Sequence, residues 1–253
     1  MQITEGSAAV PANVVVDGVK GTRRKARFIV EVRYEIAPRF FDIRGNIIAT
    51  THQAIKDQFP HWQSDQGAVL FGESAQDPVN QFHIGSDRIA FRIEDAESVP
   101  VWASDADRYL GLALDVLGKE IRTVSRLGVR FIGVHVGRRT ATFEQYAQSV
   151  RERFHKLPPD IDVDYVDSMA HLVHKNGQYR VGPVRRGEQW LRAAFRRPDA
   201  GTPGVGLGID VDCCAFEIRH KMHADVLRAF RHVLELTLTT EEALVRQAGL
   251  LDD

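Results

Sequence analysis

The sequence has few cysteines and no long apolar run. Its only two cysteines, Cys213 and Cys214, are neighbours. Adjacent side chains of a strand point to opposite faces, so we expect no disulfide between them and a reducing compartment. No stretch approaches the roughly 18 apolar residues of a membrane span, and the N-terminus lacks the basic and apolar segments of a signal peptide. These absences favour a cytoplasmic protein and disfavour secretion or membrane insertion.

The sequence also lacks an excess of charge of either sign. It has 33 Lys and Arg residues against 34 Asp and Glu. Net charge therefore gives no argument for a nucleic acid, an anionic membrane or an acidic partner, although a local patch could still favour one. Hydrophobic residues make up 43% of the 253 residues, which is enough to form a core. This length fits one large domain or two closely joined halves.

The common catalytic and metal-binding motifs are missing. We find no G-x-S-x-G, no Walker lysine loop, no H-E-x-x-H and no C-x-x-C. The glycine-rich segment 201–208 precedes a predicted strand rather than a helix, so it indicates a connector and not a phosphate loop. We therefore expect no cofactor and no metal, and we favour a non-catalytic protein over an enzyme.

Periodicity divides the chain into an arm and two halves. Residues 1–25 mix small residues with a basic cluster, which is typical of a mobile arm that can end in one short strand. We predict an N-terminal α+β half over 26–140 and a C-terminal α+β half over 141–253, which can also form one continuous domain. Predicted strands span 28–36, 68–71, 79–84, 88–93, 124–136, 162–174, 179–184 and 205–219. Predicted helices span 47–59, follow the capping boxes Ser104/Asp107 and Thr142/Gln145, and span 223–236 and 239–250.

This element order predicts an α+β fold. Each half mixes antiparallel strands with one or two helices, whereas a parallel sheet would require strict alternation of strands and helices. We expect antiparallel or mixed sheets in two closely packed halves with helices on one face. A ferredoxin-like duplication is one arrangement that fits this order.

The strand Val124–Val136 is the most regular element of the sequence. Arg126 and Arg130 share one of its faces, where they could form an anion-binding surface or pair with acidic neighbours. The apolar phase changes at Phe131 and Ile132 beside Gly133. This change predicts either a bulge or the entry of the strand into a part of the sheet that is covered on both faces.

A second candidate group lies on and after the last predicted strand. Asp210 and Asp212 share one face, and His220 and His223 follow, which superficially suggests an acid/base or metal site. The two histidines straddle a predicted junction between strand and helix, where no regular geometry brings them together. We therefore assign no catalytic residue, and we take Arg126, Arg130, Asp210 and Asp212 as candidate ligand-binding residues.

Two segments carry a family resemblance. They are the strand segment Arg126-Leu-Gly-x-Arg-Phe131 and the closing helix that leads into Leu238-Thr-Thr-Glu241. Together they resemble a sporadically distributed prokaryotic family of unknown function, in which Asn often stands where this chain has Gly133. The resemblance implies the fold and an intracellular setting, and it transfers no catalytic residue.

Three functions are compatible with these patterns. The first is a binding or adaptor module for a protein or small-molecule ligand, in monomeric or homo-oligomeric form. The second is a nucleic-acid-binding protein with paired ferredoxin-like halves, which is favoured by the basic clusters at 23–27, 185–186 and 196–197. The third is an enzyme that uses Asp210, Asp212, His220 and His223. We rank them in that order.

Overall fold

The computed structural model describes residues 22–36, 40–64, 67–94, 98–137, 141–154, 169–174, 176–218 and 223–250. Within these ranges the strands are β1 Arg23–Ile36, β2 His61–Ser64, β3 Ala68–Gly72, β4 Gln81–Gly85, β5 Arg88–Glu94, β6 Ile121–His135, β7 Ala170–His174, β8 Gly177–Arg185 and β9 Val205–Ile218. The helices are α1 Phe40–Ile55, α2 Val99–Leu117, α3 Phe143–Phe154, α4 Gln189–Ala194 and α5 His223–Gln247. None of these helices is long and apolar enough to cross a membrane.

One antiparallel sheet joins both halves of the chain. Its strand order is β2-β3-β4-β5-β1-β6-β9-β8-β7, which confirms the α+β fold. Each half has an opening strand, a helix, a meander whose last strand pairs with the opening strand, and a closing helix. The two opening strands, β1 and β6, pair with each other at the centre of the sheet. This order differs from the β-α-β-β-α-β order of a ferredoxin-like unit.

The main core lies between the sheet and the helices α1, α2, α3 and α5. Phe28 of β1 stacks on Trp102 of α2 at 4.8 Å between ring centroids and contacts Phe131 of β6 at 5.1 Å. Trp102 also meets Phe230 of α5 edge-on. Burying each of these rings stabilises the fold by about 1.5–3 kcal/mol. Residues from both halves therefore share one core.

The opposite face of the sheet, here named the outer face, is covered only in part by a helix. There Ile132 and Val134 of β6 pack with Val184, Leu191 and Phe195 beneath α4. The change of apolar phase in β6 thus marks the entry of this strand into a doubly covered part of the sheet. No bulge occurs at Gly133, which pairs regularly with Ala26. A Cβ at residue 133 would collide with the buried ring of Phe131, which explains the glycine.

Several predicted elements are confirmed. The capping box of α3 forms as predicted, because Gln145 N donates to Thr142 Oγ1 at 3.3 Å and Thr142 N donates to Gln145 Oε1 at 2.8 Å. The meander β3-β4-β5 and the hairpin β7-β8 are antiparallel, with His174 paired to Gly177. Of the strand predicted over 162–174, residues 162–168 lie outside the described ranges. Cys213 and Cys214 are free thiols on opposite faces of β9, as the strand alternation predicted.

Other predicted boundaries are wrong. The first strand begins at Arg23, inside the predicted arm, whose residues 1–21 lie outside the described ranges. Helix α2 begins at Val99, where Ser98 is the N-cap, so Ser104 lies inside the helix. Instead of two terminal helices, α5 runs unbroken past Thr239. The short strand β2 was missed, since its four residues are all exposed and carry no apolar alternation.

Candidate functional site

Arg126, Arg130, Asp210 and Asp212 lie together on the outer face. Strands β6 and β9 are neighbours, with Arg130 opposite Asp212 in the register. Side chains two residues apart on a strand point to the same face, so the two arginines of β6 and the two aspartates of β9 are all directed outward. The structure thus joins four residues that are separated by up to 86 positions in the chain.

Each arginine of β6 is fixed by an aspartate of β9. Arg130 donates from Nε to Asp210 Oδ1 at 2.8 Å and from Nη2 to Oδ2 at 2.7 Å, a two-pronged geometry that raises the pKa of Arg130. Arg126 Nη2 donates to Asp212 Oδ1 at 2.9 Å. The Asp210 side chain is only 6% exposed, whereas that of Arg130 is 40% exposed. The aspartates therefore orient guanidinium groups that remain accessible.

Gly128 explains the position of Arg126. A Cβ at residue 128 would lie 2.7 to 2.8 Å from the guanidinium atoms of Arg126. The guanidinium therefore lies over the bare backbone of Gly128, from which it reaches Asp212 on one side and Glu31 on the other, at 3.5 Å. The Arg-Leu-Gly sequence of β6 is thus a structural unit in which the glycine makes room for the arginine.

Glu31 of β1 is shared by three arginines. Its carboxylate lies 2.7 Å from Arg33 Nε, 3.5 Å from Arg126 Nη1 and 3.7 Å from Arg88 Nη1. Partly exposed ion pairs of this kind contribute little stability individually, at about 0–1 kcal/mol each. Their consequence here is positional, because one carboxylate holds guanidinium groups of three adjacent strands close together.

These contacts belong to a larger surface that we name the arginine face. It consists of Arg33, Arg88, Arg92, Arg126, Arg130 and Arg180 with the carboxylates Glu31, Asp210 and Asp212, all on the outer face by their register. One row across the sheet runs Arg88, Arg33, Arg126 and Phe216. A parallel row runs Arg92, Ile29, Arg130, Asp212 and Gln178. The two rows flank Ala90, Glu31, Gly128 and Cys214.

The predicted acid/base group is not brought together in the described residues. His223 Nδ1 lies 2.9 Å from Asp115 of α2, on the helical side of the sheet, away from Asp210 and Asp212. His220 lies outside the described ranges. Among the residues that the structure describes, no group of three or more His, Cys, Asp or Glu side chains has the geometry to hold a metal ion.

The basic clusters of the sequence have internal partners. Lys25 Nζ donates to the carbonyl oxygen of Ala200, Arg27 Nη1 donates to that of Ala194, and Arg186 binds the carbonyl oxygen of Thr202. Burial lowers the pKa of Arg27 to about 10, and repulsion by Arg92 contributes to this shift. These side chains are used within the fold, which weakens the argument for a nucleic-acid surface at these clusters.

Sequence reasoning missed a buried polar cluster on the helical side of the sheet. Glu241 of α5 receives two-pronged hydrogen bonds from Arg23, at 2.6 to 2.9 Å. His135 Nε2 lies 3.4 Å from Glu241 Oε1, and His135 Nδ1 lies 3.1 Å from Thr22 Oγ1. The sequence gives one hint of this cluster. His135, the last residue of β6, lies on the same face of the strand as the core residue Phe131.

His135 is expected to make stability depend on pH. Burial lowers the pKa of His135 below its ordinary value of 6.5. The unfolded chain then binds a proton at His135 more readily than the folded chain does. The contribution of His135 is therefore complete above about pH 6.5 and is lost as pH falls through the lowered value, with a slope of at most about 1.4 kcal/mol per pH unit.

The measurement is chemical denaturation of the protein and of His135→Gln between pH 7.5 and 5, the range being chosen to bracket the ordinary histidine pKa of about 6.5. We expect a shallower loss of stability in the variant, whatever its stability at neutral pH. Equal pH slopes for the two proteins would contradict this assignment.

No protein-family model matches the sequence, and no curated protein matches it.

Proposed function

We propose that this chain is a non-catalytic, cytoplasmic binding module that recognises its partner with the arginine face. The observation that carries the proposal is the joining of Arg126, Arg130, Asp210 and Asp212 on one open face of the central sheet. Side chains held in fixed positions lose little conformational freedom on binding, which favours recognition. A sheet shared by both halves gives this surface a rigid support.

The same contacts favour binding over catalysis. Arg130 and Asp210 neutralise each other, and Arg126 is divided between Asp212 and Glu31. An arginine stays protonated at neutral pH and makes a poor general acid or base. The histidine that could have supplied this chemistry, His223, pairs with Asp115 on the other side of the sheet.

The extent of the surface favours a macromolecular partner. The row from Arg88 to Phe216 crosses four adjacent strands, which corresponds to about 14 Å at the usual spacing between strands. The second row extends through Gln178 to Val173 on the edge strand β7. Small-molecule sites are usually enclosed and largely apolar, whereas this surface is open, broad and charged.

Removal of the central ion pairs is expected to weaken partner binding. The variant combines Arg126→Ala, Arg130→Ala, Asp210→Ala and Asp212→Ala, so that no buried charge is left without its counterpart. Tagged protein is crosslinked in a cytosolic extract, and the retained proteins are quantified by mass spectrometry. We expect the retained amounts of a defined set of proteins to be at least about fivefold lower for the variant than for the unmodified chain, in line with the loss of two charged contacts.

Arg228→Ala is the matched control. Arg228 lies on α5, away from the arginine face, and its side chain is 79% exposed. This control should retain the same proteins as the unmodified chain. Equal retention by the fourfold variant and by the control, with both proteins folded, would overturn the proposal.

A further inference from the structure

The arginine face carries more positive than negative charge. Six guanidinium groups share it with three carboxylates, although the chain as a whole has a net charge of −1. We infer that the partner presents an acidic peptide segment whose carboxylates bind the arginines of this face in excess of their internal partners. This inference rests on the proposed function and names the chemistry of the partner.

The surplus is concentrated around Glu31 and Arg92. The single charge of Glu31 lies within 4 Å of three guanidinium groups, of which that of Arg126 also binds Asp212 and that of Arg88 also lies 3.5 Å from Asp87. Among the described residues, Arg92 forms no side-chain hydrogen bond and no ion pair within 4 Å. Burial and the nearby charges of Arg196 and Arg88 lower the pKa of Arg92. An added anion at this position would relieve the repulsion.

Arg180 adds a second guanidinium that has no partner among the described residues. It lies on β8, opposite Asp210 in the register, and its side chain is exposed. Within the described ranges it forms no ion pair, since Asp210 is engaged by Arg130. Arg92 and Arg180 therefore lie on either side of the Arg130–Asp210 pair and are the two guanidinium groups of the arginine face that form no ion pair within the described residues.

Peptide carboxylates fit this surface better than a nucleic acid does. The planar guanidinium fork binds a carboxylate through two parallel hydrogen bonds, as Arg130 already does with Asp210. Glu31, Asp210 and Asp212 would repel the closely spaced charges of a continuous phosphate backbone, whereas a peptide can place its carboxylates on the arginines alone. Among the described residues of the outer face, Phe216 is the only exposed Phe, Tyr or Trp, so a row of stacking rings for bases is lacking.

Apolar side chains at the border of the face match a peptide. Phe216 follows Arg126 in its row and is 58% exposed, while Val173 on β7 is 79% exposed.

Arg88 and Arg92 are four residues apart on β5, as are Arg126 and Arg130 on β6, which corresponds to about 13 Å in a strand. An extended peptide has the same spacing between its residues i and i+4, so it can place two carboxylates on either pair.

The test uses three fluorescent probes and measures anisotropy. They are a twelve-residue peptide that mixes Glu and Leu, the same peptide with Gln in place of Glu, and a dodecamer of thymidine. At low salt we expect the acidic peptide to bind and the Gln peptide to bind at least about tenfold more weakly, since its charge-assisted hydrogen bonds are lost. Binding should weaken steeply between about 50 and 500 mM NaCl.

Arg92→Ala with Arg180→Ala is the diagnostic variant, since neither side chain forms an ion pair in the described structure. We expect a loss of acidic-peptide binding of about five- to tenfold, and no loss for Arg228→Ala. Tighter binding of the thymidine dodecamer than of the peptide would overturn the inference in favour of nucleic acid. Equal binding of the Glu and Gln peptides, or no binding, would overturn it as well.

The two proposals fail in different ways. If the crosslinked proteins depend on Arg126, Arg130, Asp210 and Asp212 but the acidic peptide does not bind, the binding module stands and its acidic partner is ruled out. If the peptide binds but crosslinking shows no dependence on these residues, the arginine face is an anion surface without the proposed function.

Discussion

Glu241→Ala is expected to lower the free energy of unfolding by about 3–5 kcal/mol. The Glu241 side chain is 1% exposed and is the only carboxylate among the described residues that contacts Arg23. Removal of this carboxylate leaves the guanidinium of Arg23, itself 13% exposed, inside the fold without a counter-charge. Stacking of Arg23 on the ring of Phe131, at 5.0 Å, replaces only part of the lost interaction.

Urea denaturation of Glu241→Ala and Glu242→Ala measures this effect with a neighbouring control. Glu242 pairs with the exposed Arg246 at 3.1 Å on the surface of α5, so its removal should cost about 0.5 kcal/mol or less. Glu241→Gln keeps an acceptor for Arg23 and should lie between the two. Equal losses at residues 241 and 242 would show that the buried pair contributes no more than a surface pair.

The strands were the most predictable part of this fold. Alternation in β1, β6 and β9 is strong, because one face of each strand packs in the main core while the other face carries charged groups. Strand β2 has no such contrast, since all four of its residues are exposed. Hydrophobic pattern therefore identified strands where burial is one-sided and missed the fully exposed edge strand β2.

Helix ends were less predictable because polar residues serve more than one purpose. The sequence pattern favours an N-cap at Thr239, yet α5 continues through it. The preceding Thr237 shows how such a segment stays helical, because its hydroxyl donates to the carbonyl oxygen of Val233 at 2.8 Å, within the helix. Ser98 was overlooked as the N-cap of α2, where its side chain accepts from Val101 N.

The candidate surface could be predicted only in its parts. Arg126 and Arg130 share one face of β6, and Asp210 and Asp212 share one face of β9. Both facts follow from the alternation of side chains along a strand. That β6 lies beside β9, in a register that sets Arg130 opposite Asp212 and within reach of Asp210, depends on long-range packing that local pattern does not contain. Arg92, Arg180 and Glu31 were not identified for the same reason, since their strands join the face only in the folded sheet.

Glu94→Ala is expected to destabilise the protein by about 3–5 kcal/mol, because Glu94 links the two halves through backbone groups and a buried charge. Its carboxylate, in β5 of the first half, accepts from Arg196 N at 2.5 Å and from Arg197 N at 3.3 Å in the second half. It also lies 3.9 Å from Arg27 Nε, a buried nitrogen without a hydrogen-bond partner in the described structure. The variant leaves these donors and the charge of Arg27 uncompensated.

Arg196→Ala is the control for this variant, because it keeps the backbone N–H of residue 196 and removes only a surface pair with Asp77, at 3.1 Å. We expect this control to cost about 1 kcal/mol or less. Thermal and urea denaturation compare the two, and losses of similar size would contradict the role of Glu94. Since Arg196 also lies near Arg92, the control should raise the pKa of Arg92 by removing a like charge.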